Sequence, residues 1–255
     1  MRIFASVSFV VSGPVLALYP VMKLALLLAL SLGSLGQAVN DPIVTLPEAY
    51  KLQFENEWAK VTKVTYAPYV KLPEHAHTTW TAAYVYLSDA GPVIFSHTDK
   101  DYHAITRPAV KAKSFRLNRA MQELHEVENT SGQTSEFLRV EFKTEPRDQQ
   151  TMRGRFYSEP DATGTRIERL QFDNAQVRVT RITLLPSQRA HVAATATEPA
   201  LIIAVTPAQS VNLALGEERW LDLNQTADFV NSGAESIELL RFDMKTSPLE
   251  LTRLH

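Results

Sequence analysis

Phe54-Glu-Asn-Glu-Trp-Ala-Lys-Val-Thr-Lys-Val-Thr65 recurs without a gap as Phe172-Asp-Asn-Ala-Gln-Val-Arg-Val-Thr-Arg-Ile-Thr183. The changes keep chemistry: Glu becomes Asp, Lys becomes Arg, Val becomes Ile. Downstream, Leu138-Arg-Val-Glu-Phe-Lys-Thr144 returns as Leu240-Arg-Phe-Asp-Met-Lys-Thr246, and Val127-Glu-Asn129-Thr-Ser-Gly132 is echoed by Phe229-Val-Asn231-Ser-Gly233. Three blocks in one order point to a duplicated unit, and each copy is long enough to have its own core. Both copies alternate with period two in β-branched and aromatic residues, as in Val61–Tyr66, Ala83–Leu87, Ser135–Phe142, Val177–Thr183 and Leu201–Val205. Turn signals such as Ser88-Asp-Ala-Gly91 and Ser232-Gly233 separate the runs. The expectation is an all-β chain of two tandem sandwiches or barrels. The strongest helix candidate is short, Leu46-Pro-Glu-Ala-Tyr-Lys-Leu52. A polar, turn-rich stretch over 145–164 reads as the linker. It sets units of 39–150 and 151–255.

The chain has 255 residues, 45% hydrophobic and 21% charged, an ordinary globular balance. Net charge is only -2 and no basic stripe appears, so nucleic acid is not an expected partner. No cysteine is present, which excludes disulfides, thiolate metal sites and Cys nucleophiles. Nine glycines include no phosphate-cradling loop.

Met22-Lys23, the apolar run Leu24–Leu32 and the small-residue exit Gly36-Gln37-Ala38 read as a secretory signal peptide occupying 1–38 and cleaved after Ala38. Translation is expected to start at Met22, with Met1–Val21 a start-site artefact. The apolar run is too short for a comfortable membrane span, so no stable span is expected after processing. The mature protein is expected to be exported, periplasmic or secreted.

Six of seven histidines lie between 75 and 191, five of them in the first copy. In a strand His75 and His77 of Glu74-His-Ala-His77 share a face, so two imidazoles converge on one point. That is what metal coordination requires. Lys71–His77 running on to Gly91, followed by His125-Glu-Val-Glu-Asn129, resembles the two motifs of the cupin superfamily: a His-x-His pair with a later glutamate and glycine, then a histidine separated by three residues from an asparagine. The resemblance covers residues 54–144 and, without the histidines, 172–246. It implies two tandem cupin-type jelly-roll barrels, the second degenerate.

Carried over by position, the resemblance makes His75, His77 and His125 metal ligands and Asn129 a turn residue. The motif glutamate is replaced by Thr81 or Ala82, and the turn before His125 by Ala120-Met-Gln122. Glu123 shares strand parity with His125 and is a candidate fourth ligand or base. In the second copy His191 is aligned with the first motif histidine, Ala193 with the second and Ala227 with the third. His191 and Glu198 remain as a remnant expected to hydrogen-bond each other. His97 and His103 are expected in a loop near the barrel mouth, as a solvated hairpin tip ahead of a substrate contact or lid, and Tyr84 and Tyr86, which share a face, in the sheet core ahead of the cavity lining.

The implied cofactor is one divalent transition metal, Fe, Mn, Ni, Cu or Zn, and the implied partner a small molecule, with the protein a monomer or homodimer. Two functions stay open: a metal-dependent enzyme of dioxygenase or isomerase type, and a non-catalytic small-ligand or sugar-binding protein.

Overall fold

The computed structural model describes residues 41–98, 100–101, 103–159, 167–207 and 213–249. The signal-peptide expectation lies outside the described residues.

The first repeat contains β1 (Tyr50–Glu55), β2 (Ala59–Tyr66), β3 (Lys71–His77), β4 (Thr81–Tyr86), β5 (Val93–His97), β6 (Ala104–Arg107), β7 (Phe115–Asn118), β8 (Glu123–Asn129) and β9 (Ser135–Phe142). With β10 (Arg153–Phe156) they form two facing sheets, ordered β1-β2-β9-β4-β7-β10 and β3-β8-β5-β6, and every pair is antiparallel. The second repeat contains β11 (Glu168–Asp173), β12 (Val177–Leu184), β13 (Arg189–Ala193), β14 (Ala200–Ala204), β15 (Glu218–Leu221), β16 (Thr226–Val230) and β17 (Ile237–Met244). Its sheets are β11-β12-β17-β14-β15 and β13-β16.

The duplication is visible in the backbone. β1 and β11 each carry one bulge, at Leu52/Phe54 and Leu170/Phe172. Asn129 caps its turn by donating to the carbonyls of Tyr66, Ala67 and Gln133, and Asn231 does the same with Leu184 and Glu235. Each asparagine is buried at the close of the return strand, where its amide satisfies carbonyls the ladder leaves behind.

Strand alternation sends the two faces of each large sheet to different cores. From β2, β4 and β9, Val61, Val85 and Phe142 point away from the first barrel. They meet Val179, Leu201 and Phe242 of the second in one apolar layer between the barrels. Phe142 and Phe242 are fully buried there with ring centroids 6.0 Å apart. Burial of each such side chain stabilises by about 1.5–3 kcal/mol. The opposite faces fill the barrels: Tyr50, Tyr66, Tyr84 and Phe137 in the first, Ile182, Val192, Ile202 and Phe229 in the second. The first interior is therefore aromatic and polar, the second aliphatic.

Two local expectations are corrected. The helix is not at Leu46–Leu52 but at α1 (Pro42–Thr45), capped by Asp41 whose side chain accepts from the Ile43 amide, with Pro42 in its first turn. From Tyr50 onward the chain is strand, because pairing Tyr50 with Val64 buries the tyrosine and satisfies the backbone. Inside the stretch read as linker, Arg153–Phe156 pairs with β7 and closes the first barrel's large sheet, and Phe156 stacks on Phe115 at 4.6 Å.

Candidate metal centre

His75 lies directly opposite His125 in the β3–β8 ladder, and His97 of β5 lies opposite His125 on its other side. A register shift between Leu72 and His75 puts one extra residue into β3 at Pro73-Glu74. A bulge of this kind re-aims the side chains beyond it, and proline, with no N–H to give the ladder, is tolerated there. Leu72 and His75, an odd number of residues apart, both face inward as a result.

The rings of His75, His77 and His125 form a near-equilateral triangle with centroids 5.0, 4.9 and 5.1 Å apart. One nitrogen of each lies within 4.8 Å of the others, the one group of three metal-capable donors among the described residues. His75 Nδ1 is 2.8 Å from the Pro73 carbonyl, which only accepts, so Nδ1 carries the proton and Nε2 offers a lone pair. Both ring nitrogens of His125 are buried with no hydrogen-bond partner. Burial, above all, pushes all three imidazoles below their ordinary value, His77 well below and His125 to about 3. The Arg139 charge pushes the same way for each. All three are therefore neutral at pH 7 and able to ligate. Orphaned buried nitrogens on neutral imidazoles are what a metal of intermediate softness would satisfy.

Glu123 does not join this group, which corrects the expectation of a fourth ligand or base. Arg139 Nη1 donates to it at 2.9 Å, Asn118 at 3.2 Å and the Tyr84 hydroxyl at 3.3 Å. Burial alone would raise its pKa, but the Arg139 charge and then His125 bring it down to about 2. A carboxylate so held is a weak base. Arg139 also binds Glu141 through Nε at 3.1 Å, and Thr78 donates to the same carboxylate.

The second-barrel remnant is also corrected. His191 pairs with Asp228 at 2.9 Å on an exposed face, while Glu198 accepts from Arg178 at 3.2 Å. β13 has no bulge, so Val192 stands opposite Ala227, the position that His75 and His125 occupy in the first barrel. A one-residue difference in register exchanges the faces. Val192, Ala194 and Ala227 belong to the aliphatic core, which offers a metal nothing.

His97 is not in a solvated loop. It ends β5, is buried, and its ring centroid is 5.3 Å from that of His125, while His103 is exposed. Tyr84 and Tyr86 line the cavity, as do Arg107, Arg116 and Arg139, which sequence reading did not single out. No local sequence signal marks Arg139 as buried. Gly91 borders the same space, where a Cβ would lie 2.2 Å from the Ser131 Cβ. No helix among the described residues is long and apolar enough to cross a membrane.

No protein-family model matches the chain, and no curated protein matches it. Solved structures do. Vicilin from Capsicum annuum is 9% identical, with a TM-score of 0.53 over 75% of this chain and 77% of that one. The pirin YhhW from Escherichia coli, solved in complex with nickel(II), is 13% identical at a TM-score of 0.53, covering 78% and 91%. An oxalate decarboxylase OxdC mutant from Bacillus subtilis is 8% identical at 0.51, covering 76% and 70%. At such identities the likeness is one of architecture, and it agrees with the strand order and the paired barrels: the chain has the two-barrel cupin fold.

Proposed function

We propose that the first barrel holds one divalent transition metal on His75, His77 and His125, and that the protein is an exported metal-dependent enzyme acting on a small molecule in that barrel. The observation that carries the reading is the triangle of neutral imidazoles, with both nitrogens of His125 buried and unsatisfied. A three-nitrogen set leaves positions open for substrate or water. The metal bound there would supply Lewis-acid polarisation or, if redox-active, dioxygen chemistry. Imidazole without carboxylate suits Fe, Ni, Cu or Zn above harder ions such as Mn. A nickel(II) complex of a neighbour in fold is consistent with that preference.

The surrounding residues bear on the reaction type. An isomerase-like reaction needs a positioned base, and Glu123, at about 2, is a poor one. A dioxygenase-like reaction on a diol or diketone also loses a proton as the substrate ligates, but the metal itself would lower that pKa, so it asks less of a protein base and is the one favoured. The same lack of a base supports the second reading, capture of a small ligand without turnover.

Metal analysis of the purified protein beside a His75→Ala/His77→Ala/His125→Ala variant tests the core claim. Near-stoichiometric metal lost in the variant supports it. Protein that takes up none of Fe, Mn, Ni, Cu or Zn overturns it, leaving the ligand-binding reading. Oxygen uptake by the loaded protein with a panel of diols and diketones separates enzyme from binder. N-terminal sequencing of exported material tests the proposed cleavage after Ala38.

A further inference from the structure

The chamber that borders His77 and His125 is also lined by Arg107, Arg116 and Arg139. Arg139 is committed to Glu123 and Glu141. Arg116, on β7, is 7% exposed and makes no ion pair among the described residues. Its side-chain hydrogen bond goes to the Tyr86 hydroxyl. Arg107, on the edge strand β6, is half-buried and equally without a carboxylate. Both have a buried Nε–H with no hydrogen-bond partner. Their planes are already placed: the Arg116 guanidinium carbon lies 4.0 Å over the Tyr84 ring and that of Arg107 5.1 Å over Phe95. Stacking fixes the faces and leaves the in-plane N–H edges to a ligand. Burial, and then repulsion from Arg116, pull Arg107 below the ordinary arginine value.

Buried Arg116 and half-buried Arg107 have no carboxylate in contact, Glu123 acting on both only from across the chamber, and their free N–H edges call for an anion. We propose that the first barrel binds a small monocarboxylate, its head held by Arg107 and Arg116 beside His77 and His125 and its apolar part against Phe95, Val93 and Val110 in the adjoining chamber. Charge sets the valence. In the metal-free barrel the guanidiniums of Arg107, Arg116 and Arg139 stand against the carboxylates of Glu123 and Glu141, so one negative charge balances this set and a doubly charged phosphate overshoots. Planar carboxylate also matches the guanidinium edge. Arg107 belongs to the β5–β6 hairpin, which has no counterpart in the second barrel among the described residues. The site is thus confined to the barrel with the histidines. That the carboxylate is presented to a metal rests on the proposed function above; that it binds rests on the two arginines alone.

Calorimetric titration at fixed ionic strength tests this, using propionate, neutral propionamide and inorganic phosphate on metal-stripped and metal-loaded protein. Propionate is expected to bind both forms, propionamide at least ten-fold more weakly. Arg107→Gln, at the barrel edge, and Arg116→Gln are each expected to weaken propionate at least ten-fold, with metal content unchanged in Arg107→Gln. Equal binding of propionamide, tighter binding of phosphate than of propionate by the metal-stripped protein, unaltered propionate affinity in Arg107→Gln, or no propionate binding overturns the proposal. Protein that binds propionate but no metal keeps this site and sinks the metal reading. Protein that binds metal but not propionate does the reverse.

Discussion

The Tyr50 hydroxyl lies 2.8 Å from Nε2 of His75, and since Nδ1 of that ring already donates to Pro73, the phenol is the donor to Nε2. The Tyr66 hydroxyl, 2.8 Å from that of Tyr50, then donates to Tyr50 in turn. Burial raises the pKa of both phenols, so both stay protonated. The lone pair that would ligate a metal is therefore the one Tyr50 occupies. Tyr50→Phe removes a competitor whose net contribution is about 1 kcal/mol, so metal affinity should rise roughly five-fold. Fold stability should fall by about 1 kcal/mol, because Tyr66 loses its acceptor. Competition against a chromophoric chelator reads the first effect and urea denaturation the second. A ten-fold loss of metal affinity would instead make the phenol oxygen a donor to the metal.

The imidazoles make metal-free stability depend on pH in a stated direction. Each has a folded pKa below the ordinary 6.5, and that of His125 is about 3. Between those values the unfolded chain binds protons that the folded chain refuses. Stability is thus complete above 6.5 and declines as pH falls toward 3, by on the order of a few kcal/mol. Glu123, at about 2 against an ordinary 4.5, adds a loss of the same sign that begins only below 4.5. Denaturation midpoints for the chelator-treated protein should fall from pH 6.5 downward. In the triple histidine-to-alanine variant the decline should begin only below 4.5. A flat profile between 6.5 and 4.5 in the unmutated protein would show that the rings are not buried neutral.

His191 shows how far sequence carries and where it stops. The repeat made both barrels legible, because period-two runs and turn residues survive divergence. The pairing of His75 with His77 followed from parity. The extra residue at Pro73-Glu74 is invisible to parity, since it exists only as a register shift against β8. Aligning the repeats without it places His191 where Val192 in fact stands, one residue and one sheet face away. His191→Ala should therefore leave metal content unchanged and cost at most about 1 kcal/mol, the worth of an exposed pair with Asp228. Loss of metal on this substitution would place a second site in the degenerate barrel.

Arg139 stands in the repeated block Leu-Arg-x-acid, where nothing local marks it as buried and solvent is the usual fate of arginine. Both copies keep the pair: Arg139 with Glu141, and Arg241 with Asp243 at 2.7 Å. In the first barrel Arg139 is 4% exposed and serves two carboxylates, so removing it strands both in a buried site. Arg139→Met should cost about 3–5 kcal/mol. If the penalty comes from uncompensated charge, adding Glu123→Gln and Glu141→Gln to that variant should recover most of it, since a neutral set carries no desolvated ions. Thermal denaturation of the single and triple variants decides the point. Recovery assigns the network an electrostatic cost that the barrel tolerates in order to keep Glu123 ionised beside the histidines. A triple variant no more stable than Arg139→Met would instead assign most of the loss to the contact of the Arg139 guanidinium with the Tyr84 ring, 5.4 Å from its centroid.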